Sequence, residues 1–563
     1  MSNQRLTPKA VSGFAAGVLF FLALIIYLPT LDNRFVYDDR TLIEHNPLLT
    51  RLSSIPSLFV TQLWSGKGSS QSADSTQDED TYNFDRRYRP MLMASYSLNY
   101  AVDGFNPLGY HLVNVVFHAA VTAVFYLVAL ELGWSQIGAF VSSVLFAVHP
   151  LHSEAVAWVA GRPEMMMAMG VLGALWCAMR GRQIAAVLSF LFALFCKEQA
   201  VVLPALILLA DVCRQRSTAM QTTAWPAMLQ RYGYYVVILI GFLALRTTVL
   251  RGFQPARYPF FSNPLEHMTG VVWLMNVLKM AGHYLWLSIW PAALSVDYSY
   301  NALPLATTVQ DPGVLWAAVA WGSLLWLGIW GWGRDRRTTF AVGLTMLTFL
   351  PAANLLVPVG TPFAERLFYL PLSGLCLLAG LLWEQIMPTA AGRQFRTWII
   401  LGVALGLLLA ARTVVRLQDW KTTETLFRSA VEVVPGNAGA HFLLGSELMR
   451  KGTKPALEEG ITEFERALAI YPAFAREDGI FAYNLGTALV HVGRYEEAHT
   501  FLEFAVTKHP RWSMPYHYLG LAYMKLDQSE KAVDAWGTAL KLDPSDMQVR
   551  WWLSPLRSDS ARK

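Results

Sequence analysis

NLGTALVHVGRYEEAHTFLEFAVTKHP, residues 484–510, is followed seven residues later by YLGLAYMKLDQSEKAVDAWGTALKLDP, residues 518–544. Laid over one another, the stretches match at Leu485 and Leu519, Gly486 and Gly520, Ala498 and Ala532, Ala505 and Ala539, and Pro510 and Pro544, always 34 residues apart. Each reads as two amphipathic helices. Small residues sit where the helices must approach closely, and a proline stands where the second helix has to stop. A third copy runs from Gly445 to Pro472, stretched by a few residues around 452–455, and residues 423–435 read as the second half of a degenerate copy before it. Arg550, Trp551 and Trp552 suit a capping helix. The predicted repeats cover about 438–472, 479–512 and 513–546, and three units are enough for a stack whose cores support one another.

A 34-residue period with this placement of Gly, Ala and Pro is the tetratricopeptide-repeat signature, and it predicts an α-solenoid over residues 412–563. Upstream the chain changes character. Over all 563 residues 54% are apolar and only 15% charged, and the apolar residues gather in runs such as 11–29, 112–132, 234–250, 271–290, 314–332 and 398–411. Several approach the length needed to cross about 30 Å of hydrocarbon, and Tyr27, Tyr110, Tyr284, Trp290, Trp332 and Trp383 stand at their ends as interfacial residues do. The expectation is an all-α, polytopic membrane domain over residues 1–411 with about 11–13 transmembrane helices. The first run reads as a retained signal anchor, with Arg5 and Lys9 keeping the N-terminus cytoplasmic. Residues 31–109 then form the first external loop, in which the acidic, low-complexity stretch 66–81 reads as a disordered insertion, and residues 90–100 as an amphipathic segment lying along the membrane surface. Basic clusters at 180–182, 214–216, 334–337 and 393–396 suit cytoplasmic loops, so the run 398–411 delivers the repeats outside. Four scattered cysteines suggest neither a disulfide framework nor a zinc site. A net charge of +5 gives no reason to expect a nucleic-acid partner.

Ionisable residues near a bilayer are costly, so their clusters mark candidate sites. Asp38 and Asp39 follow the first run; adjacent carboxylates repel, so one can act as a general base, or the pair can hold a divalent cation, or both can belong to a solvated turn. His149, His152 and Glu154, followed by Arg162 and Glu164, suit a metal site, an anion site or a hydrogen-bonded structural turn. Lys197 interrupts an apolar stretch and needs an anion, either a carboxylate such as Glu198 or a lipid phosphate. Glu365 and Arg366 lie between two runs, where the arginine can bind phosphate or simply pair with a glutamate.

These residues lie in FVYDDRTLIEHNP (35–47), RRYRPMLMASYSLNY (86–100), GYHLVNVVFHA (109–119), LFAVHPLHSEAVAWVAGRPE (145–164), LFCKEQAVVL (194–203), AERLFYLPLSGLC (364–376) and RTVVRLQDWKTTETLFRSA (412–430). In this order they resemble the transmembrane and tetratricopeptide-repeat-containing family of protein O-mannosyltransferases. The short repeat array resembles that of a bacterial-type member, while the insertion at 66–81 departs from the family's loop. The resemblance implies a GT-C glycosyltransferase fold in a membrane, a bacterial inner membrane for such a member, with the repeats periplasmic. It also implies transfer of a sugar, usually mannose, from a polyprenyl-phosphate donor to a Ser/Thr hydroxyl of an acceptor protein or peptide that the repeats can hold. By that resemblance Asp38 and Asp39 are the catalytic acids, and Lys197, Arg162 and Arg366 are candidates for the donor phosphate. His149, His152, Glu154, Glu164 and Glu365 form a possible metal or structural polar cluster. A divalent metal is not required by the sequence. Two other readings stand beside this one. A non-catalytic membrane scaffold that recruits partners explains the repeats but not the acids and bases. A transporter would place its charges near the midplane of symmetric halves, and these halves are dissimilar.

Overall fold

The computed structural model describes residues 8–63, 87–214, 225–252, 258–387 and 392–560. The expected insertion at 66–81 and part of the basic cluster at 214–216 lie outside them. All regular structure among the described residues is helical.

The first part of the chain builds α1 (Pro8–Tyr27), α2 (Pro90–Asp103), α3 (Pro107–Glu131), α4 (Gln136–Val148), α5 (Arg162–Met179), α6 (Gln183–Cys196), α7 (Leu203–Arg214), α8 (Trp225–Val249), α9 (Gly270–Ile289), α10 (Pro312–Arg334), α11 (Arg336–Phe349), α12 (Leu372–Ile386) and α13 (Arg393–Asp419). Helix starts follow local chemistry. Asn106 accepts a hydrogen bond from the Leu108 amide ahead of α3 with Pro107 at the first turn, Ser135 caps α4 at Gly138, and Asp311 caps α10 at Gly313. Helix α3 packs against both α1 and α5, α4 lies against α12, and α9 to α12 pack in succession.

Among the described residues five helices are long and apolar enough to cross a membrane: 11–32, 107–131, 231–249, 312–334 and 393–419. They make the chain a multipass membrane protein. Their flanks expose the side chains a bilayer would cover, among them Val237 and Ile240 on α8, Val319 and Ile329 on α10, and Ile400 and Leu408 on α13. The apolar runs lead one to expect eleven to thirteen crossings, and polar residues and prolines divide several of those runs into shorter helices. The run around Lys197 splits into α6 of 14 residues and α7 of 12, and His149-Pro150 ends α4 after 13. The segment expected along the membrane surface forms α2, whose Leu92, Met93, Ala94 and Tyr96 are buried in protein while Val102 is exposed.

Helix α13 continues unbroken beyond residue 411 to Asp419. After it come α14 (Thr423–Val433) and three helix pairs, α15/α16 (Ala438–Lys451, Lys454–Ile470), α17/α18 (Gly479–Val492, Tyr495–Lys508) and α19/α20 (Ser513–Lys525, Ser529–Leu542). Helix α21 (Met547–Ser560) packs on the last of them. Asn437 and Asp478 cap α15 and α17, and Gly452 and Gly493 close them in the left-handed conformation that glycine adopts without strain. Within the third pair Gly520 lies against Trp536, whose buried indole donates to the His517 carbonyl. A Cβ at 520 would come within 2.4 Å of that ring, whereas one at Gly537 would meet nothing within 4 Å. Helix propensity favours alanine over glycine by about 1 kcal/mol, and overpacking against a fixed ring costs about 1–3 kcal/mol. Gly520→Ala should therefore melt below the wild type and Gly537→Ala at or above it in thermal denaturation of the purified chain. The reverse order would refute this packing of the pair.

Candidate functional site

Beyond α1 the chain turns through residues 33–39, and there the two adjacent acids part company. Asp39 is fully buried, and both its oxygens are engaged: Oδ2 accepts from the Val36 amide at 3.1 Å and Oδ1 from the Ala160 amide at 2.8 Å. It ties the turn to the segment before α5. Asp38 is half-buried and borders a cavity of about 930 Å³. Tyr37 beside it has φ of 53°, a left-handed conformation that a bulky residue adopts only under constraint. Burial pushes the Tyr37 phenol well up, Asp38 and Asp297 adding to the rise while Arg366 and Arg87 oppose it, so charges of both signs surround this ring.

The cavity wall carries three cation–carboxylate pairs. Lys197, in the break between α6 and α7, is buried and paired with Glu164 of α5. Arg366 pairs with the fully buried Glu154, whose other oxygen accepts from the Arg366 amide at 2.7 Å, and its guanidinium lies 5.0 Å from the Trp158 ring centre. Arg89 donates to both oxygens of Glu198, at 2.9 and 3.3 Å. Charges at this depth persist only when paired. Lys197, Arg366 and Arg89 all line the cavity, so each keeps an anion-directed charge at its surface. Among the described residues only Nη1 of the Arg366 guanidinium donates a hydrogen bond, which leaves an edge for a further acceptor.

Of the remaining expected site residues only Glu164 lines the cavity. Arg162 is fully buried and does not border the cavity. Its donors go to Asn114 Oδ1 at 2.8 Å, Ser95 Oγ at 3.0 Å, Asn99 Oδ1 at 2.7 Å and the Tyr110 carbonyl at 2.9 Å, with the Tyr96 ring 4.7 Å away. His149 donates from Nε2 to the Ser288 carbonyl at 3.1 Å. His152 packs among Phe146, Tyr369 and His118, and neither of its ring nitrogens has a hydrogen-bond partner among the described residues. Glu365 accepts from the Ser295 amide and the Tyr298 hydroxyl, both at 2.7 Å. Glu154 and Glu164 are spent on Arg366 and Lys197. The histidines and glutamates expected to form one polar cluster are thus divided among separate partners, and no group of three or more possible ligands converges among the described residues.

Arg87, Arg89 and Asp297 are among the lining residues that went unassigned in the sequence. Arg87 and Arg89 stand in the RRYRP stretch, where two arginines just before a helix-starting proline were a usable signal. Asp297 has no such signal. It lies in an irregular loop, with Oδ1 accepting from the Ser299 amide at 2.6 Å and from Asn437 Nδ2 at 3.1 Å.

Burial pushes the Asp39 carboxyl up to about 8, against the Val36 and Ala160 amides that hold it down, with Asp38 adding to the rise. The unfolded value is about 3.9, so the folded chain holds the proton more tightly. The resulting stabilisation is full below about pH 4 and is lost as the pH rises towards 8. The melting-temperature advantage of the wild type over Asp39→Asn should accordingly shrink between about pH 5 and pH 8; an advantage that stays constant over that range would mean the folded turn holds an ionised carboxylate.

Residues 514–546 match the tetratricopeptide-repeat family model. The chain is also similar to the Caenorhabditis elegans protein O-mannosyl-transferase F38B6.6, 31% identical over 447 residues that cover 78% of this chain and 61% of that protein. The human protein O-mannosyl-transferase TMTC3 is 28% identical over 505 residues, covering 84% and 52%, and Drosophila melanogaster Tmtc1 is 29% identical over 546, covering 80% and 61%. The chain thus spans between 52% and 61% of the length of these three relatives. With 31% identity to a protein O-mannosyl-transferase over 78% of its length, and a tetratricopeptide repeat beside its membrane helices, the chain belongs to the family whose curated members are named TMTC protein O-mannosyl-transferases.

Proposed function

We propose that this chain is an inverting membrane glycosyltransferase of GT-C type. It would move mannose from a polyprenyl-phosphate donor to a Ser/Thr hydroxyl of an acceptor protein on the non-cytoplasmic face, which is the periplasm in a bacterium. The observation that carries the reading is the cavity in which Asp38 shares a wall with Lys197, Arg366 and Arg89. Asp38 takes the proton of the acceptor hydroxyl, the hydroxyl oxygen attacks the anomeric carbon, and the bond from that carbon to the phosphate oxygen breaks. The leaving phosphate carries the developing charge, and fixed cations in a partly dry cavity stabilise it more strongly than water would. Asp39, with both oxygens on amides, serves to hold the turn and leaves the chemistry to its neighbour. Arg162, likewise occupied, braces α5 against α2 and α3. The names of the relatives support mannose as the sugar and protein as the acceptor class.

The test is release of polyprenyl phosphate by the purified chain from polyprenyl-phosphate-mannose with a Ser/Thr-rich peptide mixture. Asp38→Asn should lower kcat by at least about 100-fold, as loss of a positioned base does, with an unchanged melting temperature. Full activity in that variant would move the base elsewhere, and no turnover of any lipid-linked sugar by the wild type would favour a scaffold. Removing Lys197 alone would strand Glu164 as an unpaired buried charge, at about 3–5 kcal/mol. The informative variant is Lys197→Met with Glu164→Gln, which should raise the donor KM about 10- to 100-fold, the worth of one charged hydrogen bond.

A further inference from the structure

The turn that presents Asp38 is fastened to the start of the repeats at four points. The Arg34 amide donates to the Lys421 carbonyl at 3.1 Å. The Tyr37 amide donates to Thr423 Oγ1 at 3.3 Å, and the Tyr37 ring meets the Phe427 ring edge-on at 5.5 Å. Arg40 pairs with Glu447 of α15 at 3.6 Å. Thr423 and Phe427 are both buried, on the first two turns of α14.

A left-handed tyrosine persists only where its surroundings over-determine it. The turn itself supplies part of the constraint, because the Asp39 amide donates back to the Val36 carbonyl and Asp39 Oδ2 accepts from the Val36 amide. Those bonds pass over Tyr37 and leave its own amide unserved. Among the described residues the hydrogen bond of that amide goes to Thr423, across 386 positions of sequence. The same stretch of chain also closes the cavity, since Gly439, Phe442 and Leu443 of α15 line it together with Asp38.

We propose that Thr423 and Phe427 are positioning residues that hold Tyr37 in its left-handed conformation and so fix Asp38 at the cavity. The first helix of the repeat region is then a working part of the catalytic site, apart from any role of the repeats in holding an acceptor. This rests on Asp38 being the base of the transfer proposed above.

The experiment uses the full chain in detergent and compares Thr423→Val, Thr423→Ser and Phe427→Leu for polyprenyl-phosphate release and for amide hydrogen exchange of residues 34–40. Valine keeps the shape of threonine and loses the acceptor oxygen; serine keeps the oxygen. Thr423→Val should lower kcat about tenfold, inside the ~100-fold that a small misplacement of a reacting group can cost. The donor KM should stay within about twofold, because the cations that meet the phosphate are untouched. Thr423→Ser should recover most of the rate. Exchange at 34–40 should quicken in Thr423→Val and Phe427→Leu and stay unchanged over α12. In a Tyr37→Gly background, where the left-handed conformation is unstrained, Thr423→Val should cost nothing further. Equal losses in the Val and Ser variants, or unaltered exchange at 34–40 in both Thr423→Val and Phe427→Leu, would overturn the proposal. If the wild type turns over no lipid-linked sugar, the glycosyltransferase reading falls, and the exchange measurement decides the positioning role without it.

Discussion

Charge placed away from water has to be matched, and that constraint shapes the membrane part of this chain. Lys197 with Glu164 and Arg366 with Glu154 are pairs in which at least one partner is almost completely buried, and each joins segments that no local structure would bring together. Breaking such a pair leaves an uncompensated charge at a cost of about 3–5 kcal/mol, so one pair fixes α5 to the α6–α7 break and the other fixes the segment ahead of α5 to the segment before α12. Lys197, Glu164 and Arg366 stand on the wall of the cavity. Its electrostatic character follows from the need to keep them matched, and the cations at its wall are held by their partners.

A second set of ties joins this core to the repeats. Asp297, on the cavity wall, accepts from Asn437, which also caps α15, and Ser299 donates to that same asparagine at 3.0 Å. Trp420 is fully buried and stacks near Trp158, the residue on which Arg366 rests. The apolar core of the membrane part extends without interruption to Leu444 and Leu448 of α15, while the later helix pairs form a core of their own. The beginning of the repeat region is therefore packed as part of the membrane part.

Much of this was legible from residue spacing. The 34-residue period located the helix pairs because it reports a contact between neighbours in sequence, and Lys197 marked a helix break because a lysine cannot continue an apolar helix without a partner. The identity of the partner was not legible. Glu164 lies 33 positions from Lys197 and Glu154 lies 212 from Arg366, and nothing local distinguishes them from other glutamates. The adjacent acids Asp38 and Asp39 looked equivalent in sequence, and only the amides of Val36 and Ala160 separate a structural carboxylate from one that faces the cavity. Arg162 looked like an anion site because arginine binds phosphate well, and the same five donors are as easily satisfied by Asn99, Asn114 and a carbonyl.

Helix α13 has 27 residues, no proline, and a C-terminal end held by the buried Arg416, Leu417 and Trp420. At about 1.5 Å per residue it is about 40 Å long, against about 30 Å of hydrocarbon, so roughly two turns stand clear of the bilayer. A continuous helix clamped at its end transmits angle as well as length. One residue more or fewer would change the height of the repeats by only about 1.5 Å but swing them through about 100°, tearing α14 from the turn at Tyr37. The helix is a ruler and a protractor together, and its length can drift only by steps close to whole turns.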